Sequence, residues 1–303
     1  MLREIRALAD QYPGNPALIS EADEPTIQDL VKMYGANNDE VQLPMDFQIA
    51  TLNRLSAPDF RRLLDEIEFN PLEGQPFYFF SNHDQVRTWD RYGDGVHNDQ
   101  IAKLMAVLLL TTRATVQMYY GEELGMRTTT PTRIEDVKDP VGRTGWPKDK
   151  GRDGERTPMQ WDNSKDAGFS TSDKMWLPIP PSAAQYNVGE EERNPDSIFN
   201  FYKRVIALRR EVAALRDGDY VAVNRDDPNV LSFLRKGQNG ADSVLVALNM
   251  SADRRAVSFK LDGFGVSGKS LQVLAASPKQ ASDQLSLEKV ELEPFGVVIA
   301  QVK

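Results

Sequence analysis

The chain has 303 residues, 45 acidic against 36 basic side chains, a net charge of −9, no cysteine and two histidines. The length fits about two domains. The acidic balance argues against nucleic acid or an anionic membrane as partner, and the missing cysteines and scarce histidines exclude a disulfide framework, thiol chemistry and a histidine-rich metal centre. No cofactor and no metal is called for. A cysteine-free chain fits either side of a membrane, and a soluble, cytoplasmic protein is the expectation. The longest apolar run, Leu104 to Leu110, is too short to span a bilayer.

The first residues, MLREIRALADQ, read as an amphipathic helix with Leu2, Ile5, Leu8 and Ala9 on one face. Pro16 to Ser20 forms a short apolar strand that ends at Glu21. Thr26 caps a helix with Asp29 at its third position. A second strand is expected over Leu43 to Ala50. Ser56 caps a further helix, with Pro58 and Asp59 in its first turn and Phe60, Leu63, Leu64 and Ile67 at helical spacing.

Phe77 to Ser81 reads as a strand apolar on both faces, as in the centre of a parallel sheet, and Asn82, His83, Asp84 and Gln85 follow it directly. A polar cluster where a buried strand stops is the pattern of an active site at the carboxyl ends of barrel strands. An apolar helix over Asp99 to Thr112 leads to a fourth strand, Ala114 to Tyr120. Strand, helix and strand at such intervals are a βαβ signature, and four such strands make half a barrel.

Residues 121–194 are irregular and rich in Pro, Gly, Asp and Arg. Trp146, Trp161, Phe169, Trp176 and Tyr186 favour an ordered, packed segment there. Asn194 with Pro195 is expected to start the next helix, which carries Ile198, Phe201, Tyr202, Val205 and Leu208 on one face and ends near Arg209 and Arg210. Near Arg216 to Asp219 strands replace helices: Tyr220–Val223, Val230–Leu234, Ser243–Leu248, Ala256–Leu261, Leu271–Leu274 and Gly296–Val302 read as a small antiparallel β-sandwich. The expected fold is therefore α/β, half of a (β/α)8 barrel over 1–216 followed by an all-β sandwich domain over 217–303; the resemblance to a known family described next makes it the carboxyl-terminal half.

The stretch Phe-x-x-Asn-His-Asp closely resembles the seventh-strand motif of glycoside hydrolase family 13, the α-amylase family. ALISEADEPTIQDLVKMYG resembles its fifth-strand motif, NHDQVRTWDRYG the NHDxxRxxSR stretch of its α-glucosidases, YYGEELGM its eighth-strand segment and RDGERTPMQWD a loop of its α-glucosidases and oligo-1,6-glucosidase-like branch. The resemblance implies that Glu21 is the general acid and base and that Asp84 holds the sugar and stabilises the transition state. It also implies that His83 and Arg91 bind substrate, with Asp90 standing where the family commonly has Ser. A carboxyl at the rim of an apolar strand is a chemically suitable proton donor for a glycosidic oxygen. Glu122 and Glu123 are expected in structural ion pairs, and Trp161 either stacks on sugar or packs in the core.

The implied partner is a small-molecule α-glucoside or oligosaccharide. The family's nucleophile, an Asp in a Gly-Phe-Arg-x-Asp setting, and its Asp-x-x-x-Asn-His motif do not occur here. The expectation is an amino-terminally truncated, retaining α-glucosidase-like hydrolase, inactive by itself, that self-associates through exposed barrel edges. The alternatives are a trehalose- or sucrose-converting transglycosidase and a non-catalytic sugar-binding relative.

Overall fold

A computed structural model describes residues 1–69, 74–239 and 241–303. The chain divides into two compact units, Met1–Phe79 with Leu108–Gln117 and Leu208–Lys303, and Phe80–Val107 with Met118–Ala207. No helix among the described residues is long and apolar enough to cross a membrane.

In the first unit the early strands are short: β1 (Ile19–Ser20), β2 (Leu43–Pro44), β3 (Phe77–Tyr78) and β4 (Thr115–Val116). β1 pairs in parallel with β2, β3 pairs in parallel with β4, and a parallel bridge from Met45 to Phe77 continues the sequence of strands. These are the parallel strands expected, each reduced to a pair of ladder residues. The strand expected over Leu43 to Ala50 breaks after Pro44, because Asp46 turns the chain into a one-turn helix, Phe47–Ala50. Its Oδ1 accepts the N–H groups of Gln48 and Ile49 at 2.9 and 3.3 Å, a helix cap overriding the local strand pattern. Burial pushes the Asp46 carboxyl up to about 6, against the pull of those two N–H groups.

The helix Ala57–Glu68 follows its signals: Ser56 Oγ accepts the Asp59 N–H, Pro58 lies in the first turn, and Phe60, Leu63, Leu64 and Ile67 are buried. The first helix, Leu2–Ala9, departs from its pattern. Ile5 and Leu8 are exposed, and the buried residue is Arg6, whose guanidinium donates to Pro16 O and Gln42 Oε1.

From Asp219 onward this unit is mainly β-structure: β5 (Asp219–Val223), β6 (Val230–Lys236), β7 (Val244–Asn249), β8 (Arg255–Val257), β9 (Ser270–Ser277), β10 (Gln284–Ser286), β11 (Val290–Leu292) and β12 (Val297–Val302). Six of these strands form an antiparallel sheet in the order β10-β9-β12-β7-β6-β5, and β11 pairs with β8 in a second sheet. Val223, Leu234, Leu245, Val257, Val290 and Val298 share one core between the two sheets, which makes the expected sandwich. β6 and β7 are buried almost throughout, and the helix Ala57–Glu68 packs against β5 and β6. Arg61 of that helix donates to the carbonyls of Asp227 and Val230, and Tyr220 donates to Asp65.

Arg235 on β6 is fully buried and donates to the carbonyls of Thr111, Leu215 and Gly218. Thr111 ends the helix Asn98–Thr111, Leu215 lies within the short helix Ala213–Asp217, and Gly218 caps that helix. Burial pushes the guanidinium down to about 10.

The second unit contains no assigned strand among its described residues. Its helix Ile198–Glu211 starts later than Asn194–Pro195 predicts: Ser197 Oγ accepts the Asn200 N–H, while Asn194 closes the preceding helix Val188–Arg193. The aromatic residues of 121–194 also split. Tyr186 is buried, whereas Trp161, Phe169 and Trp176 are 48, 49 and 74% exposed, so the packed segment expected from composition is packed only in part.

Candidate active site

Glu21 belongs to the first unit, immediately after β1, and its side chain is exposed. His83, Asp84 and Arg91 belong to the second. Asn82 is buried and its Oδ1 accepts the Asp84 N–H at 2.9 Å, a local turn that short amide side chains favour.

The Asp84 carboxylate is held by two arginines from one loop. Arg152 Nη1 and Arg156 Nη2 donate to the same oxygen, Oδ1, at 2.8 and 2.9 Å, and Arg156 Nε also donates to the His83 carbonyl at 2.9 Å. The His83 ring is exposed, with Nε2 3.5 Å from that oxygen. Half-exposed pairs of this kind add little to stability, about 0–1 kcal/mol each, so their effect is to orient. Two guanidiniums on one oxygen also oppose a cation at this position, where His83 and Asp84 would otherwise offer two ligand atoms.

Arg152 is itself fixed from behind. Its Nε and Nη2 donate to Asp139 at 2.8 and 3.1 Å, and its backbone N–H reaches the same carboxylate at 2.8 Å. Asp139 is buried, and the Arg152 side chain, aided by the N–H groups of Arg152 and Val141, holds its carboxyl well below the usual carboxylate range. Behind it the buried Asp153 accepts the N–H groups of Lys138 and Asp139. A chain of charge-assisted hydrogen bonds thus runs from the backbone at 138–139 to Asp84.

Arg87 fixes the other side of the loop. It is 1% exposed, donates to the carbonyls of Tyr120 and Glu155, and lies over the rings of Tyr119 and Tyr120. Gly121 makes this approach possible: its φ is +84°, and a Cβ there would stand 2.3 Å from Met126 Sδ and 3.0 Å from Arg87 Nη1.

Arg91 turns toward its own segment, donating to Gln85 Oε1 at 2.7 Å and to the Phe80 carbonyl, with its guanidinium over Tyr92. Asp90 accepts the Thr128 N–H. The ion pairs expected at Glu122 and Glu123 are absent among the described residues. Glu122 is buried and accepts the Tyr119 N–H; burial pushes it up to about 7, and the Ser81 hydroxyl pulls the other way. Burial raises Glu123 as well.

Sequence reasoning singled out Asp84 and missed Arg152, Asp139 and Arg156 as its supports. The signal for the two arginines was the density of arginine and aspartate in GRDGERTPMQWD, whose partner lies 68 and 72 residues away, and Asp139 lies outside that stretch.

Comparison with known proteins adds a frame to this geometry. The profile described as "Alpha amylase, catalytic domain" matches residues 1–218. A probable α-glucosidase of Rhizobium meliloti (strain 1021) is 36% identical over 251 residues, 82% of this chain and 45% of that protein. A probable oligo-1,6-glucosidase 2 of Bacillus subtilis (strain 168) is 32% identical over 267 residues, 78% of this chain and 47% of that one. Among solved structures, trehalose-6-phosphate hydrolase of Bacillus licheniformis superposes with a TM-score of 0.84 at 25% identity, over 100% of this chain and 59% of that chain. Trehalulose synthase of Pseudomonas mesoacidophila MX-45 does so with 0.86 at 24%, over 100% and 58%, a likeness of fold. The chain spans about half the length of the curated relatives it matches.

Proposed function

The chain belongs to the α-amylase family, its catalytic-domain profile matching residues 1–218, and from that premise we propose that it carries part of a retaining α-glucosidase acting on α-glucosidic bonds of small oligosaccharides. The observation that carries the reading is Asp84 presented on two arginines that are themselves anchored on a buried carboxylate. In this reading Glu21 protonates the leaving glycosidic oxygen and later takes a proton from the incoming water. Asp84 binds sugar hydroxyls and stabilises the positive charge that develops at the anomeric carbon, His83 donates to the sugar, and Arg91 keeps the segment from Phe80 to Gln85 in place. The all-β part from about residue 217 adds a sandwich with a core of its own to the same compact unit.

No Gly-Phe-Arg-x-Asp sequence occurs in the 303 residues, and in this reading no side chain here fills the role of nucleophile. We therefore propose that the chain alone does not turn over α-glucosides and that the edges of β1 and β4, which pair with no further strand among the described residues, favour self-association. A sucrose-converting transglycosidase is the second reading, favoured by the likeness at 25% identity to an isomaltulose synthase of Erwinia rhapontici NX5 solved with its natural substrate sucrose.

The test is a chimera in which the amino-terminal portion of the Rhizobium relative precedes this chain, assayed with isomaltose and with 4-nitrophenyl α-glucoside. Turnover of isomaltose that falls by about 10⁴ or more in Glu21→Gln is the expected result. Turnover untouched by Glu21→Gln would remove Glu21 from its role, and sucrose isomerised rather than hydrolysed would establish the second reading. The 303-residue chain alone should release no nitrophenol above its own Glu21→Gln variant.

A further inference from the structure

Glu122 is a buried carboxyl that the catalytic reading leaves unused. It follows the turn 119–121 and lies in the second unit together with Ser81, the fully buried residue that precedes Asn82, His83 and Asp84. Glu122 Oε2 accepts the Tyr119 N–H at 3.3 Å, and the Ser81 hydroxyl hydrogen-bonds the same side chain. Its Oε1 is buried with no partner among the described residues. A buried carboxyl left half satisfied is costly, which points to a role other than stability.

The groups around it are mixed. Arg87 is the buried cation beside Glu122; it donates to the Tyr120 carbonyl, so guanidinium and carboxyl hold the same turn at two backbone groups. Glu123, Tyr92 and Tyr202 are the other titratable groups whose charge couples to it. Burial outweighs the pull of Ser81, the Tyr119 N–H and Arg87 and leaves the carboxyl at about 7.

Ser81 makes this carboxyl directional. Ser81 Oγ accepts the Thr88 N–H at 3.2 Å and so closes the loop 81–88, which carries His83 and Asp84. Asn82 Oδ1 fixes the Asp84 N–H inside the loop, and Arg91 ties its base through the Phe80 carbonyl and Gln85 Oε1. An ionised carboxylate only accepts, so the Ser81 hydroxyl donates to it and the lone pairs of Oγ stay turned toward Thr88. A protonated carboxyl, or an amide in its place, can donate to Oγ and compete with the Thr88 N–H. A hydrogen bond to a carboxylate is also about twice as strong as one to a neutral acceptor.

We propose that ionised Glu122 is a positioning residue that acts through Ser81 to hold the loop 81–88 closed and thereby sets where the Asp84 carboxylate stands. That Asp84 serves a glycosidase rests on the function proposed above; the closing of the loop does not. The arrangement runs against stability, because the charge that closes the loop is the form that burial disfavours. A merely structural residue loses stability and activity together, whereas Glu122 trades one for the other.

Two measurements test this. In the ¹⁵N-labelled 303-residue chain, the Thr88 backbone N–H signal should move in one step with a midpoint at about pH 7, and Glu122→Gln should abolish that step. Ser81→Ala should abolish it too, which decides the matter if the first variant misfolds. No step in the parent, or a step that persists in either variant, overturns the proposal. In the chimera, kcat/KM for isomaltose at about pH 8 should fall about tenfold in Glu122→Gln, mostly in kcat, while the urea midpoint rises; near pH 5 parent and variant should converge. In the Ser81→Ala background, Glu122→Gln should cost no further activity. Equal activity of parent and variant at that higher pH, or activity and stability lost together, overturns the proposal. A chimera without turnover refutes the catalytic reading alone, since the Thr88 signal still decides whether Glu122 closes the loop.

Discussion

The all-β region from residue 219 and the strandless second unit solve the same problem by different means. In the β region the backbone satisfies itself through long antiparallel ladders, with β12 paired along both edges. Its buried side chains are mostly apolar. The second unit has no such ladder among its described residues. Its loops are held by buried polar groups, among them Arg87, Asp139, Asp153, Glu122, Gln160 and Asn187, that reach across to backbone N–H and carbonyl groups. Loops fixed by side chains can aim a carboxylate such as Asp84, at the cost of burying titratable groups. The comparison predicts a second unit that responds to pH and to single polar substitutions, beside a β region that tolerates both.

The largest effect should come at the place where the β region breaks its own rule. Arg235→Ala removes the guanidinium that donates to three buried carbonyls, and urea unfolding should show a loss of about 3–5 kcal/mol. A loss below about 1 kcal/mol, the worth of a single ordinary hydrogen bond, would mean that water replaces the guanidinium and that the sheet does not depend on it.

Glu122 sharpens the contrast through pH. Its folded value, about 7, is raised above the ordinary 4.5, so the folded state binds the extra proton and stability is lost as pH rises between those values. Glu122→Gln removes that loss. The variant should match the parent near pH 4 and exceed it at pH 8 by at most about 3 kcal/mol, because each tenfold change in proton affinity is worth about 1.4 kcal/mol. Melting curves that stay parallel from pH 4 to 8 would contradict the assignment.

Asp139 tests whether the buried chain behind Asp84 orients it. In the chimera, Asp139→Asn keeps the shape but weakens the grip on Arg152, and kcat/KM for the nitrophenyl glucoside should fall about 100-fold with KM changed less than kcat. A change confined to thermal stability would make Asp139 a structural cap alone. The smallest effect is expected at Ser56→Ala, where loss of the bond to Asp59 should cost about 1 kcal/mol by urea unfolding.

What could be read from the sequence follows the same division. Ser56, Thr26 and the alternating or continuous apolar runs of the β region act through neighbours within a few residues or through a repeated ladder, so the helix Ala57–Glu68 and strands such as Val230–Lys236 were legible. The polar stretch after Phe77–Tyr78 stood out because charged residues rarely follow a buried strand so closely. The grip of Arg152 and Arg156 on Asp84 was not legible, since it depends on a loop folding back over long sequence separation. Local rivals also misled: Asp46 capped a helix inside a strand-like run, Ser197 displaced Asn194 as a cap, and Trp176 stayed exposed despite its apolar ring.

The proton-donor role of Glu21 set against the electrostatic role of Asp84 is tested most directly by comparing two substrates in the chimera. Isomaltose needs its leaving oxygen protonated, whereas nitrophenolate departs without help. Glu21→Gln should therefore lose kcat/KM on isomaltose at least about 100-fold more than on 4-nitrophenyl α-glucoside, while Asp84→Asn, which weakens the stabilisation of charge at the anomeric carbon, should lose both alike. Equal losses on the two substrates in Glu21→Gln would contradict the assignment of Glu21 as the acid.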